Sequence, residues 1–142
     1  MGAAIAGETV DDFAVPLAEP GLVLLVEDDF VLRTALAELL RSDGYRVECA
    51  ANGLQALTRL GNGPKPSLII LDIMLPHMDG REFRSIQQSA RRMADIPVVV
   101  ITAASISRED QALLSPDGMF FKPFDTSAFL ASVEQLCAPV LS

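Results

Sequence analysis

Five short β-forming runs alternate along the chain with stretches in which apolar residues recur every three or four positions. LVLLV (22–26) is unbroken apolar sequence between Gly21 and Glu27, the pattern of a strand buried on both faces. Beyond it Val31, Leu32, Ala35, Leu36, Leu39 and Leu40 fall on one helical face, with Asp29 as N-cap and Gly44 as the residue that ends the helix. YRVECA (45–50) reads as a second strand. Asn52 then caps a short helix carrying Leu54, Leu57 and Leu60, which stops at Gly61-Asn62-Gly63-Pro64. SLIILD (67–72) is the third strand, followed by a polar helix capped by Asp79 with Phe83, Ile86 and Met93 facing inward. IPVVVIT (96–102) is the fourth strand, and a short helix around Ser107 to Leu114 precedes Pro116. GMFF (118–121) is the fifth. The last helix starts near Asp125 and buries Phe129, Leu130, Val133 and Leu136.

Strands alternating with helices over short connections predict an α/β fold: a doubly wound five-stranded parallel sheet, strand order 2-1-3-4-5, with helices on both faces. In such a sheet the functional crevice lies outside the carboxyl ends of the strands, where the strand order reverses. Residues 1–20 are small and acidic and are broken by Pro16 and Pro20. They read as a loosely ordered arm holding a short helix around Val10 to Val15. Residues 21–139 read as one domain.

The ends of the strands carry the chemistry. The first runs into Glu27-Asp28-Asp29, the third ends on Asp72, the fourth on Thr102, and the fifth on Lys122-Pro123. The second, at Ala50-Ala51, offers nothing ionisable. Strands one and three are neighbours at the reversal point, so their carboxylates converge. Two unit charges about 4 Å apart repel by on the order of 1 kcal/mol in water and several times that in a partly buried cleft. One of them must hold a proton, or a cation must sit among them. Hard oxygen ligands of this kind suit Mg²⁺, which takes one or two carboxylates, waters and a phosphate. Thr102 and Lys122 are suited to hold phosphoryl oxygens. The set points to phosphoryl transfer onto Asp72.

These motifs, LVLLVEDD, LIILDIMLPHMDG, VVVITAA and FFKPF, resemble those of the receiver domain of two-component response regulators, in the same order and over about residues 22 to 137. The resemblance implies a flavodoxin-like receiver fold over residues 21–139. It implies that Asp72 accepts a phosphoryl group from the phosphohistidine of a sensor histidine kinase or a histidine phosphotransfer protein. It further implies that Asp28 binds Mg²⁺ directly, Glu27 mostly through water, and Met74 through its main-chain carbonyl. Thr102 would swing toward the phosphoryl oxygen, Lys122 would pair with it, and the Lys122-Pro123 bond would be cis. Such a domain is a phospho-acceptor, catalysing only its own phosphorylation and dephosphorylation, and signals to an unknown downstream protein. It would be a stand-alone receiver or one excised from a hybrid kinase.

The sequence departs from the family pattern at Met119, where an aromatic residue often stands, and in a segment from Thr102 to Lys122 that is slightly shorter than usual. The shortfall falls in the fourth helix. Met74, two residues past Asp72, can gate water access to the phosphoryl group. It also replaces the second acidic residue that an aspartyl phosphatase commonly carries there, which disfavours a turnover enzyme. A degenerate receiver, serving only as a binding surface, is disfavoured because the acidic, hydroxyl and lysine positions are all kept.

The remaining polar residues have plainer readings. Asp29 is a helix cap. His77, the only histidine, is a solvated loop residue, and Arg91-Arg92 a solvated helix end. Half of the 142 residues are hydrophobic and 21% charged, the balance of a soluble globular domain. The net charge of −8 argues against a nucleic-acid grip, which needs clustered Lys and Arg. No apolar run is long enough to span a membrane. Ala6 stands where a myristoylation motif wants Ser or Thr. Cys49 and Cys137 have no metal-ligand spacing and fit a reducing compartment, although a disulfide between them stays open. The expected location is cytoplasmic.

Overall fold

A computed structural model describes residues 15–139. Five parallel strands form one sheet in the order β2-β1-β3-β4-β5. They are β1 (Leu22–Val26), β2 (Arg46–Ala50), β3 (Leu68–Asp72), β4 (Val98–Thr102) and β5 (Gly118–Phe121). Helices α1 (Phe30–Ser42), α2 (Gly53–Leu60), α3 (Gly80–Ser89), α4 (Arg108–Leu114) and α5 (Thr126–Leu136) connect and follow them. The doubly wound order expected from the sequence is therefore present. The expected helix around Val10 to Val15 lies, but for Val15, outside the described residues.

Side-chain alternation along the strands divides the core in two. Leu24, Val26, Ile69, Leu71, Val98 and Val100 face α2, α3 and α4, where Ala56, Leu60, Phe83 and Leu114 meet them. Val23, Leu25, Leu68, Ile70, Val99 and Ile101 face α1 and α5, packing on Leu36, Leu40, Phe129 and Val133. The three central strands are buried at every position, as their unbroken apolar sequences require. Burying one such Leu or Phe side chain is worth about 1.5–3 kcal/mol. The outer strands β2 and β5 keep exposed positions. Cys49 lies exposed on β2 and Cys137 is buried at the end of α5; both are free thiols.

The expected caps Asp29, Asn52 and Asp79 are in place, and Ser107 and Asp125, expected only as helix starts, cap as well. The side chains of Asp29, Asn52, Asp79, Ser107 and Asp125 accept hydrogen bonds from main-chain N–H groups of the first turns of α1 to α5. Gly44 ends α1 with φ 97°, a conformation open to glycine.

Three inward faces differ from expectation. Val31 and Ala35 are exposed on α1, whose buried stripe is Leu36, Ala37 and Leu40. Leu54 is exposed on α2, where Ala56 and Leu60 are buried. On α3, Ile86 is exposed while Arg84 and Gln87 are buried beside Phe83. The helix stops at Ser89, so Arg91 and Arg92 lie in the turn after it, and Met93 reaches the core from that turn.

The described part of the arm runs without helix or strand but is tied to the base of the sheet. Lys65 Nζ donates to Pro16 O at 3.0 Å and pairs with Asp95 at 2.6 Å. Glu19 N–H donates to Lys65 O, and Ser67 Oγ donates to Glu19 O.

The β3–α3 turn depends on Gly80. A Cβ there would lie 2.6 Å from Ile73 Cα and 3.1 Å from Asp72 O, both main chain. At Gly61, by contrast, the nearest atom to a Cβ is 3.6 Å away. Gly80→Ala should cost about 1–3 kcal/mol, and Gly61→Ala should be neutral or stabilise by up to about 1 kcal/mol. Urea unfolding of the two variants checks both values.

Candidate functional site

The crossovers bring the carboxyl ends of β1, β3 and β5 to one rim. Glu27 follows β1 directly. Its N–H donates to Ala50 O at 3.0 Å, so its main chain still belongs to the sheet and its side chain is fully buried. Asp28, next in the chain, is exposed. Asp72 ends β3 and is 2% exposed, with Oδ1 accepting from Met74 N–H at 3.0 Å. Glu27, Asp28 and Asp72 each bring a carboxylate oxygen within 4.8 Å of the others.

Lys122 reaches this cluster from β5. Its N–H donates to Thr102 O, and the peptide bond to Pro123 is cis. Its ammonium bridges Glu27 Oε1 and Asp72 Oδ2, both at 2.8 Å. Thr102 is fully buried at the end of β4, where its hydroxyl accepts from Ala104 N–H at 3.1 Å. Met74 lies at the mouth, with its side chain exposed. Met119 packs from β5 against the core on the α2–α4 side. His77 is exposed in the β3–α3 turn, and Asp29 caps α1.

Charge is unevenly balanced here. Desolvation by burial pushes the Glu27 carboxyl up to about 7, although the hydrogen bond from Lys122 and that from Asp29 N–H pull it down. For Lys122, burial works against its charge. Hydrogen bonds to Asp72 and Glu27 outweigh burial and hold it above the usual lysine value. Three carboxylates face one ammonium.

Sequence reasoning did not find Arg33. Its Nη1 donates to the main-chain oxygens of Glu27 (2.8 Å) and Asp28 (3.3 Å), and its guanidinium lies 5.5 Å from the centre of the Phe30 ring. It thereby fixes the acidic turn from below. The signal available was a cation in the first turn of a helix, where the dipole disfavours one unless it has other partners.

The donor set fits a small divalent cation. Octahedral Mg²⁺ at about 2.1 Å from each oxygen needs ligands roughly 3–4 Å apart. One oxygen from each of the three carboxylates lies within 4.8 Å of the others, so a small side-chain adjustment would bring them to that spacing. The exposed Asp28 leaves the cleft open to water and substrate on one side.

Comparison with known proteins gives the family. The sequence profile of the response regulator receiver domain matches residues 23–134. The two-component response regulator ORR11 of Oryza sativa is 35% identical over 105 residues, 74% of this chain and 71% of that protein. The transcriptional regulatory protein CpxR homolog of Haemophilus influenzae is 34% identical over 80% of this chain, which spans 49% of that protein. Among solved structures, the receiver domain of the sensor histidine kinase PA1611 from Pseudomonas aeruginosa, with magnesium coordinated in its active-site cleft, superposes with a TM-score of 0.73. It is 26% identical, and the match covers 83% of this chain and 98% of that one. The sheet order, the acidic cleft and these matches together place the chain in the response regulator receiver domain family.

Proposed function

We propose that Asp72 is the phospho-acceptor of this receiver, and that Glu27, Asp28, Lys122, Thr102 and the Met74 carbonyl serve it. The observation that carries the reading is the Lys122 ammonium seated between Glu27 and Asp72, 2.8 Å from each. A buried carboxylate held by a lysine beside two further carboxylates is a nucleophile placed in a cleft that attracts cations.

In the transfer, an Asp72 carboxylate oxygen attacks the phosphorus of a phosphohistidine. The P–N bond breaks, and the imidazole keeps the electron pair and takes up a proton. The product is an acyl phosphate on Asp72. Mg²⁺, when bound by Asp28 and Asp72 directly, by Glu27 largely through water and by the Met74 carbonyl, supplies charge neutralisation at the phosphoryl oxygens. Lys122 then pairs with a phosphoryl oxygen rather than with Asp72, and the Thr102 hydroxyl turns from Ala104 N–H toward another. The phosphoryl group adds up to about two negative charges. Contacts made only to that form bias β4 and the loop after it toward a second packing.

The donor is a sensor histidine kinase or a histidine phosphotransfer protein. A groove of ≈ 440 Å³ between α1 and the β5–α5 loop opens beside Lys122, lined by Leu32, Ala35, Leu39 and Phe124, and suits a protein donor rather than a small one. The chain acts as a signalling acceptor and not a turnover enzyme, since Met74 puts no second acid beside Asp72. The net charge of −8 gives it no grip of its own on nucleic acid, and its downstream partner is a protein. Among the described residues no helix is long and apolar enough to cross a membrane, and a cytoplasmic setting fits its free cysteines.

Incubation with radiolabelled acetyl phosphate and Mg²⁺ should label the protein, and Asp72→Asn should abolish labelling. Label retained in that variant would refute the assignment. Lys122→Met leaves two carboxylates facing each other, so it should cost the metal-free protein about 1–3 kcal/mol. The loss should shrink at saturating Mg²⁺, read by urea unfolding with and without the ion.

The pH dependence has a definite sign. The folded chain holds the Glu27 proton more tightly than the unfolded chain, so this group's contribution to stability is full below about pH 4.5 and is lost as pH rises through about 7. Without metal, wild type should therefore lose about 2–3 kcal/mol relative to Glu27→Gln between pH 4.5 and 7.5. Parallel stability curves for the two proteins would contradict this.

A further inference from the structure

Arg84 is a buried charge that the mechanism above leaves unused. Arg84 on α3 is 6% exposed, and among the described residues no carboxylate lies within ion-pair distance of it, although Asp117 attracts it electrostatically. Its guanidinium bonds neutral oxygens. Nε donates to Leu114 O at 2.7 Å, Nη2 to Ser115 O at 3.0 Å, and Nη1 to Gln87 Oε1 at 2.7 Å. Leu114 and Ser115 are the last residue of α4 and its left-handed C-cap, φ 43°. A cation placed there answers the carbonyls and the negative dipole end that a helix terminus exposes. Gln87, fully buried, passes the restraint on. Its Nε2 donates to Met93 O at 2.8 Å and Ile96 O at 3.1 Å, which lead into β4. Asp117, two residues beyond the cap, bonds the β4 main chain at both the N–H and the carbonyl of Val98.

The other end of α4 is held differently. Ser107 caps it, and Arg81 Nε pairs with Asp110 at 3.0 Å, with both side chains about one-third exposed. The loop before it, 103–107, follows Thr102; Ala103, Ser105 and Ser107 are exposed in it, and Ile106 is half-buried against the core. One end is thus fixed by a network seated on the buried Arg84 and Gln87 and reaching out to the exposed Ser115, the other by a cap, a partly exposed ion pair and the half-buried Ile106. Buried polar networks resist opening because a broken member is left without water to replace its partner.

We propose that Arg84 and Gln87 make the C-terminal end of α4 a fixed pivot, so that the switch is confined to loop 103–107 and the first turn of α4. This rests on the phospho-acceptor reading for its trigger and on the geometry alone for its pivot. The seven-residue helix turns about its clamped end and does not shift as a whole. The surface that reports phosphorylation is then the N-terminal end of α4, and the turn at 114–117 stays as it is.

Residue-resolved amide exchange by NMR tests this on the full chain, metal-free and with Mg²⁺ plus beryllofluoride as the phosphoryl mimic. In wild type, the Leu114 and Ser115 amides should exchange slowly and equally in both states, and amides from 103 to 110 should change at least tenfold. Changes as large at 114–115 as at 103–110 would overturn the pivot. Arg84→Met should raise exchange at 112–115 at least tenfold without the mimic, and with it the change should spread along α4. Asp110→Asn should loosen only the first turn, and this variant keeps the test decisive if Arg84→Met does not fold: faster exchange at 114–115 in it would refute the asymmetry. If the mimic changes nothing in wild type, the trigger is wrong and the switch falls with it. The metal-free comparison of 108–110 with 114–115 still shows whether the clamp exists.

Discussion

Carboxylates crowded at one rim of a sheet repel, and the protein's response to that repulsion organises its upper half. Strand order puts Glu27 and Asp72 on adjacent strands, and burial removes the water that would screen them. Lys122 answers by bridging both, which requires β5 to end beside β4 with its next residue turned inward. Arg33 holds the acidic turn by its main chain without touching its carboxylates. The cleft is thereby kept acidic and assembled at once, which is the condition for attracting a divalent cation and an incoming phosphoryl group.

The core makes this rim rigid. Three central strands with no exposed position anchor the acidic turn and Asp72 to the best-packed part of the molecule. Gly80 lets the chain fold back against Ile73 so closely that a methyl group would not fit, and this sets the path of the loop carrying Met74. Rigidity there contrasts with the loop after Thr102, where Ala103, Ser105 and Ser107 are exposed although Ile106 still packs on the core.

Much of this was legible in the sequence, and the reasons are specific. Unbroken apolar runs identify β1, β3 and β4 because only a doubly covered strand tolerates them. Asp29, Asn52, Asp79, Ser107 and Asp125 identify helix starts because their side chains complete main-chain bonds locally. The acidic and basic site residues stood out because each follows a strand. What stayed hidden depends on tertiary partners. Arg84 and Gln87 look like solvent-facing helix residues, and counting apolar positions turned Ile86 inward in their place. The α1 face was drawn too wide because Val31 and Ala35 are apolar, although α5 and the sheet cover only the stripe through Leu36 and Leu40. Arg33 could not be placed without knowing where the acidic turn folds.

The tie at the opposite end of the sheet bears on where this domain can be cut. The family match starts at residue 23, but Lys65, nearly buried, relies on the carbonyl of Pro16 as well as on Asp95. Trimming the chain to its matched segment would strip one partner from an ammonium that has little access to water, and would also remove the acceptor of Ser67. Residues 16–19 thus supply the base of the sheet with hydrogen bonds that a chain starting at residue 23 would lack.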